Sequence, residues 1–162
     1  MSRSTVFLSC MIAATLIVSG CSIEIQEEGD SDLHGSVERM LTGSAEAWNG
    51  GVLDGFMDDY LESENTTYIG GGSLLTGYDA IYERYAPLFE PGAARDSLRF
   101  EDIRTRRLAV VEAIATARWV LYRGDEITGS GPFTLVLRHT SNGWKIIHDH
   151  SSSDPQPPPS GE

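Results

Sequence analysis

An α+β domain is predicted, with helices first and a long antiparallel sheet after them. Two observations carry this. Apolar residues recur at intervals of three and four up to about residue 85, then switch to strict alternation from about residue 98. Glycine, proline and asparagine punctuate both halves where elements should end. Such an order places a helical layer against one face of an antiparallel sheet.

In the helical half, Val37, Met40, Leu41, Ala45 and Trp48 form one apolar stripe, and Asn49-Gly50-Gly51 stops it. Val52, Leu53, Phe56, Met57 and Tyr60 repeat the pattern in a short second helix. Tyr68-Ile69 leads into Gly70-Gly71-Gly72-Ser73, which reads as a turn between two short strands. No Lys-Ser/Thr follows these glycines and no long helix starts at them, so they are not a phosphate loop. Gly77 opens a third helix with Tyr78, Ile81, Tyr82 and Tyr85 on one face, and Pro87 and Pro91-Gly92 end it.

In the sheet half, a strand runs from Leu98 to about Leu108, and Ala113, Ala115, Ala117, Trp119 and Leu121 alternate along the next. The third, Ile127 to His139, puts Phe133, Leu135 and Leu137 on one face, with a bend expected at Gly129, Gly131 and Pro132. Asn142-Gly143 is a hairpin turn, because both central positions of a type I′ turn need positive φ. Alternation along the last strand places Trp144, Ile146, His148 and His150 on one side and Lys145, Ile147 and Asp149 on the other.

Flanking segments have a different composition. Arg3 precedes an apolar run from Val6 to Val18, shorter than the ~20 residues of a membrane span and shaped like a signal peptide. The run closes on Val18-Ser19-Gly20-Cys21, which resembles the bacterial lipobox. That resemblance implies cleavage after residue 20 and lipidation of Cys21, hence a lipid-anchored, exported protein of the bacterial cell envelope. The other reading is an ordinary secretory signal in which Cys21 is incidental. Ser22, where Asp would be the usual inner-membrane retention signal, favours the outer membrane. Residues 21–33 carry five acids and no base and read as a solvated tether. Residues 154–162 hold four of the seven prolines and read as a disordered tail. The folded unit is therefore expected over 34–153. With 12 Lys plus Arg against 24 Asp plus Glu, the net charge of −12 argues against nucleic acid as a partner.

Ala47-Trp48-Asn49, Gly77, Arg118-Trp119, Phe133-Thr134-Leu135-Val136 and the ending Gly143 to Ser151 together resemble the nuclear transport factor 2-like superfamily. Its bacterial members of unassigned function, the association domains of calcium/calmodulin-dependent kinases and the SnoaL-like polyketide cyclases are the nearest in pattern. The resemblance implies a cone-shaped, cystatin-like α+β barrel: three N-terminal helices packed in a strongly curved antiparallel sheet around an apolar pocket. It also implies a homodimer through the outer face of the sheet. It does not fix a function, because this fold hosts isomerases, cyclases, hydrolases and domains without catalysis.

Within such a cone, Trp48, Tyr60, Tyr82, Tyr85, Trp119, Phe133, Leu135 and Trp144 are the expected lining, suited to a small apolar or aromatic ligand. His148 and His150 are the candidate acid–base pair, with pairing to carboxylates or backbone as the structural alternative. A metal would need a third and fourth ligand that the remaining histidines, His34 and His139, are not expected to supply, and no metal or other cofactor is expected. The resemblance brings Arg118 into the pocket as an anion-binding residue, whereas the alternation of Ala115, Ala117 and Trp119 turns it outward. Asp149 is expected to point away from the core, which removes the inward aspartate on which the hydrolase and isomerase members depend. Three readings follow: a lipid-anchored binding module, an acid–base enzyme acting on a small carbonyl compound, and a structural assembly module.

Overall fold

A computed structural model describes residues 21–155, with side chains described from residue 32. The expected signal peptide, residues 1–20, and the proline-rich end from residue 156 lie outside the described residues. Helix α1 spans Cys21–Gly50, α2 Leu53–Met57 and α3 Tyr78–Tyr85, the last continued by a 3-10 turn at Ala86–Phe89. Strands β1 (Thr67–Gly70) and β2 (Ser73–Thr76) precede α3, and β3 (Ser97–Ala109), β4 (Glu112–Arg123), β5 (Glu126–Thr140) and β6 (Gly143–Ser151) follow it.

One six-stranded sheet has the order β2-β1-β6-β5-β4-β3. Every neighbouring pair is antiparallel except β1 with β6, which run parallel, with Tyr68 opposite Asp149. The sheet is thus antiparallel, as expected, with that one parallel contact as its exception. The exception arises because the last strand inserts between β5 and the early hairpin instead of ending at an edge.

The sheet curls because its long strands are interrupted. Register shifts fall between Glu101 and Arg104, where Asp102 takes a φ of 55°, between Leu121 and Tyr122, and between Val136 and Leu137. Each extra residue bends its strand and raises the local twist. On the concave face, Ala113, Ala115, Ala117, Leu135, Leu137 and Ile146 are buried with Val37, Leu41 and Trp48 of α1. Each large apolar side chain so buried contributes roughly 1.5–3 kcal/mol.

The end of α1 is pinned to the start of β3 by polar side chains. Trp48 donates its indole N–H to the Asp96 carbonyl at 2.8 Å, and the Asn49 amide bonds both backbone groups of Leu98, at 2.7 and 2.9 Å.

Both expected boundaries of the folded unit move outward. The segment 21–33 is helical rather than an irregular tether, and Leu33, one helical turn before Val37, is only 1% exposed. Asp154 belongs to the fold and not to the tail. Its backbone N–H reaches the Ser130 carbonyl at 2.8 Å, and its carboxylate pairs with Arg118 and accepts from Ser130 Oγ at 2.5 Å.

Candidate functional site

The three helices leave one end of the cone unfilled, and a cavity of about 280 Å³ remains there. Its apolar wall comes from every layer: Leu41 and Trp48 of α1, Phe56 of α2, Phe100 of β3, Trp119 and Leu121 of β4, Phe133 and Leu135 of β5. Edge-to-face contacts hold these rings in place, with centroids 5.1 Å apart for Trp48 and Phe56 and 4.9 Å for Phe56 and Tyr85. Of the expected lining, Trp48, Tyr60, Tyr85, Trp119, Phe133 and Leu135 do face this cavity.

Tyr82 and Trp144 do not. Tyr82 donates its hydroxyl to Asp54 at 2.8 Å on the solvent side of the helices. Trp144 packs edge-on against His139, 5.0 Å away, and beneath the guanidinium of Arg107. Period alone points both side chains inward. A helix face broad enough for Tyr78, Tyr82 and Tyr85 extends past the cavity, and Trp144 enters the sheet too far from the mouth.

The decisive correction concerns the last strand. Ile146 pairs with Leu137 but His148 pairs with Val136, so one residue, Ile147, is extra and the alternation inverts after it. Ile146 and Asp149 are therefore both inward and buried, while His148 and His150 turn to the outer face. His148 Nδ1 lies 2.6 Å from Thr67 Oγ1 on the neighbouring strand, and His150 is exposed. Neither histidine lines the cavity, so the expected acid–base pair loses its geometry.

Asp149 takes the place expected of them. Its carboxylate lies in the cavity wall, 6% exposed, accepting from Tyr60 Oη at 2.7 Å and from Ser151 Oγ at 2.8 Å. Burial pushes its pKa above the ordinary carboxylate value, and the two donated hydrogen bonds pull in the other direction. The neighbouring Tyr60 and Tyr85 hydroxyls are driven well above 10, first by burial and then by the Asp149 charge. They therefore stay protonated and remain hydrogen-bond donors. Tyr85 packs edge-on against Tyr68, ring centroids 6.0 Å apart, so three phenols share the cavity wall with Asp149.

A second carboxyl stands one layer behind. Asp59, mostly buried, interacts with Ser44, itself a lining residue, and its pKa is raised from 3.8 to about 7, chiefly by burial. The Lys145 ammonium and the Ser44 hydroxyl oppose that rise and Asp58 adds to it. One oxygen of Asp59, Oδ2, is buried without a hydrogen-bond partner among the described residues.

Arg118 faces outward, as alternation requires. It forms an ion pair with Asp154 and does not reach the cavity, which sets aside the anion-binding role implied by the resemblance. Tyr68, Arg84 and Asp149 are among the lining residues that period and resemblance missed, and they are the ones that bear on chemistry. Tyr68 was legible, being inward by alternation in β1. A bulge hid Asp149, and Arg84 lies on a helix flank that the apolar stripe does not mark.

Comparison with known proteins agrees with this architecture. A family model of the SnoaL-like domain matches residues 37–156. The chain belongs to the SnoaL-like family. Among solved structures it is similar to a nuclear transport factor 2-like protein of unknown function from Shewanella oneidensis. The two are 31% identical over 73% of this chain and 97% of that one, with a TM-score of 0.64. A cystatin-like protein of unknown function from Nostoc punctiforme shares the fold at 10% identity, covering 76% of this chain and 92% of that one, with a TM-score of 0.63. A cystatin-like fold protein from Burkholderia xenovorans does so at 16% identity, covering 78% and 95%, with a TM-score of 0.61. No curated protein matches. The SnoaL-like domain thus carries a shared cone, and what it does must be argued from the cavity.

Proposed function

We propose that the cone binds a small, predominantly apolar carbonyl compound and that Asp149 moves a proton on it. One observation carries the reading: a carboxyl group in an otherwise apolar and aromatic cavity, made more basic than usual by its burial. A base works best when its pKa approaches the ambient pH, and burial moves a carboxyl in that direction. In the ionised form Asp149 accepts a proton from the carbon beside the carbonyl. The C–H electron pair passes into the enolate, and the new O–H stays on Asp149 until the proton returns to the same or another carbon. Tyr85, held neutral, supplies a hydrogen bond for the developing oxyanion, and such a preorganised donor is worth more in a cavity that excludes water. Nothing in this step calls for an oxidant or a cofactor.

The test is exchange. A panel of monocyclic and bicyclic ketones is incubated with the purified protein in heavy water, and loss of the α-proton signal is followed by NMR. Exchange that the Asp149→Asn variant loses supports the reading. Ketones that bind without exchanging would reduce the cone to a binding module.

The domain acts, in this proposal, at the cell envelope. Val18-Ser19-Gly20-Cys21 behind a short apolar run supports a lipid anchor on Cys21 that tethers the cone to the membrane. Two or three acyl chains, at ~0.8 kcal/mol per buried CH₂, hold a protein stably where one does not. Cys21→Ala is expected to remain unprocessed and unlabelled by a radioactive fatty acid in a bacterial host. Labelling of that variant would remove the assignment.

A further inference from the structure

The mouth of the cavity holds one cation. Among the described residues, Arg84 is the only Lys or Arg in the lining, and no carboxylate lies within ion-pair distance of it. Four other arginines of the domain are held in ion pairs: Arg99 with Glu101, Arg118 with Asp154, Arg123 with Asp96 and Arg138 with Glu112.

Arg84 is nevertheless positioned. Its guanidinium stacks over the Tyr68 ring, 4.9 Å from the centroid. The β1–β2 turn is shaped to permit this. A Cβ on Gly70 would fall 2.2 Å from the Tyr68 hydroxyl, and Gly71, at φ +58°, takes a backbone conformation that favours glycine and lies in van der Waals reach of an Arg84 nitrogen. Gly70 therefore makes room for the ring on which the cation rests.

Arg84 and Asp149 occupy opposite ends of one wall. Arg84 is exposed at the rim and rests on Tyr68, which packs against Tyr85, whereas Asp149 is buried and bonded to Tyr60, all of them lining the same cavity. An anion placed deep in the cone would be repelled by Asp149 and would lose hydration among aromatic rings. An anion at the rim meets a planar guanidinium that carboxylates engage with two parallel hydrogen bonds.

We propose that the cone selects a small amphipathic carboxylate, its acid group held at the rim by Arg84 and its apolar body extending inward past the tyrosines toward Asp149. The inference deepens the reading above and rests on it, since it names the class of molecule whose far end meets the carboxyl base. The size agrees. A cavity near 280 Å³ lies just below the ~300–1,000 Å³ typical of ligand sites, which suits one or two rings.

Calorimetric titration of the purified full-length protein with 2-naphthoate and 2-naphthamide tests it, because the two probes share a body and differ in charge. The acid should bind about tenfold or more tightly than the amide, with a preference that weakens as salt is added. Arg84→Gln should abolish that preference by weakening the acid far more than the amide, and Arg84→Lys should restore part of it. Equal affinity for the two probes, or a preference that survives Arg84→Gln, overturns the inference and leaves the cone reading intact. Binding of neither probe to the parent protein overturns both.

Discussion

Tyr60 donates its hydroxyl hydrogen to Asp149 across 2.7 Å, joining residues 89 positions apart at the centre of the cavity wall. Burial alone would make this carboxyl a reluctant anion. The Tyr60 bond keeps the charged form accessible, and the two effects together set how basic Asp149 is. Asp149→Asn should therefore lower proton exchange on a bound ketone by about 10²–10⁴-fold, the usual contribution of a positioned acid–base group. Tyr60→Phe removes a bond to the ionised form and so raises the pKa of Asp149. The acidic limb of its rate–pH profile should move to higher pH, and a limb that stays in place would separate Tyr60 from the chemistry.

Stability should fall as pH rises from about 4 to about 7. The folded Asp59 has its pKa raised to about 7 against an ordinary 3.8, so in that interval the folded protein holds a proton that the unfolded chain has released. Folding is then favoured by acid, and the advantage, on the order of 4 kcal/mol, is present in full below 3.8 and gone above about 7. Asp59→Asn cannot release the proton. Thermal melts should show that variant nearly level with the parent at pH 4 and several degrees more stable at pH 8. A parallel decline with pH in both proteins would assign the slope to other groups.

Much of the fold was legible because period is a local property. The stripe from Val37 to Trp48 and the alternations along Ala113–Leu121 and Phe133–Leu137 each report one buried face, and the structure buries those faces. The site was less legible because a single unpaired residue, Ile147, reverses every assignment beyond it. Nothing in Ile146-Ile147-His148-Asp149 marks which of two isoleucines is extra, since both are strong strand formers. The error placed two histidines in the cavity and the carboxyl outside it. Arg84 escaped for another reason: its place depends on the ring of Tyr68 in a different element, and no spacing within the helix encodes that contact.

Self-association through the outer face of the sheet is a further expectation. Ile114 pairs with Val136 and Thr116 with Thr134, so an aliphatic and threonine patch, half-buried except for the exposed Thr116, crosses β4 and β5 on the side away from the helices. A sheet face exposed to water usually carries a cleaner polar pattern. Sedimentation at micromolar concentration should show a dimer, and Val136→Asp, placing a charge in that patch, should give a folded monomer. A parent protein that sediments as a monomer over this range would count against pairing through the sheet.

The last closure of the cone is made by backbone. Beyond β6, Ser152 donates its N–H to the Pro132 carbonyl at 3.0 Å, and its own carbonyl accepts the Trp119 indole N–H at 2.9 Å. Ser151, Ser152 and Ser153 thereby become part of the cavity wall. This crossing is possible only over a glycine, since a Cβ on Gly131 would fall 1.9 Å from the Ser152 carbonyl oxygen. Rigid backbone occupies that space, so Gly131→Ala must displace the segment and break both hydrogen bonds. The expected loss is about 1–3 kcal/mol, as for other overpacked sites, together with a red shift in Trp119 emission as water reaches the indole. Asp154→Ala removes only the latch to Arg118 and Ser130, a partly exposed contact, and should cost under about 1 kcal/mol. Were the two variants equally stable with unchanged emission, the segment would not be closing the cone. A large effect of Gly131→Ala beside a small one of Asp154→Ala places the closure at Trp119, on the ring that also forms the cavity wall.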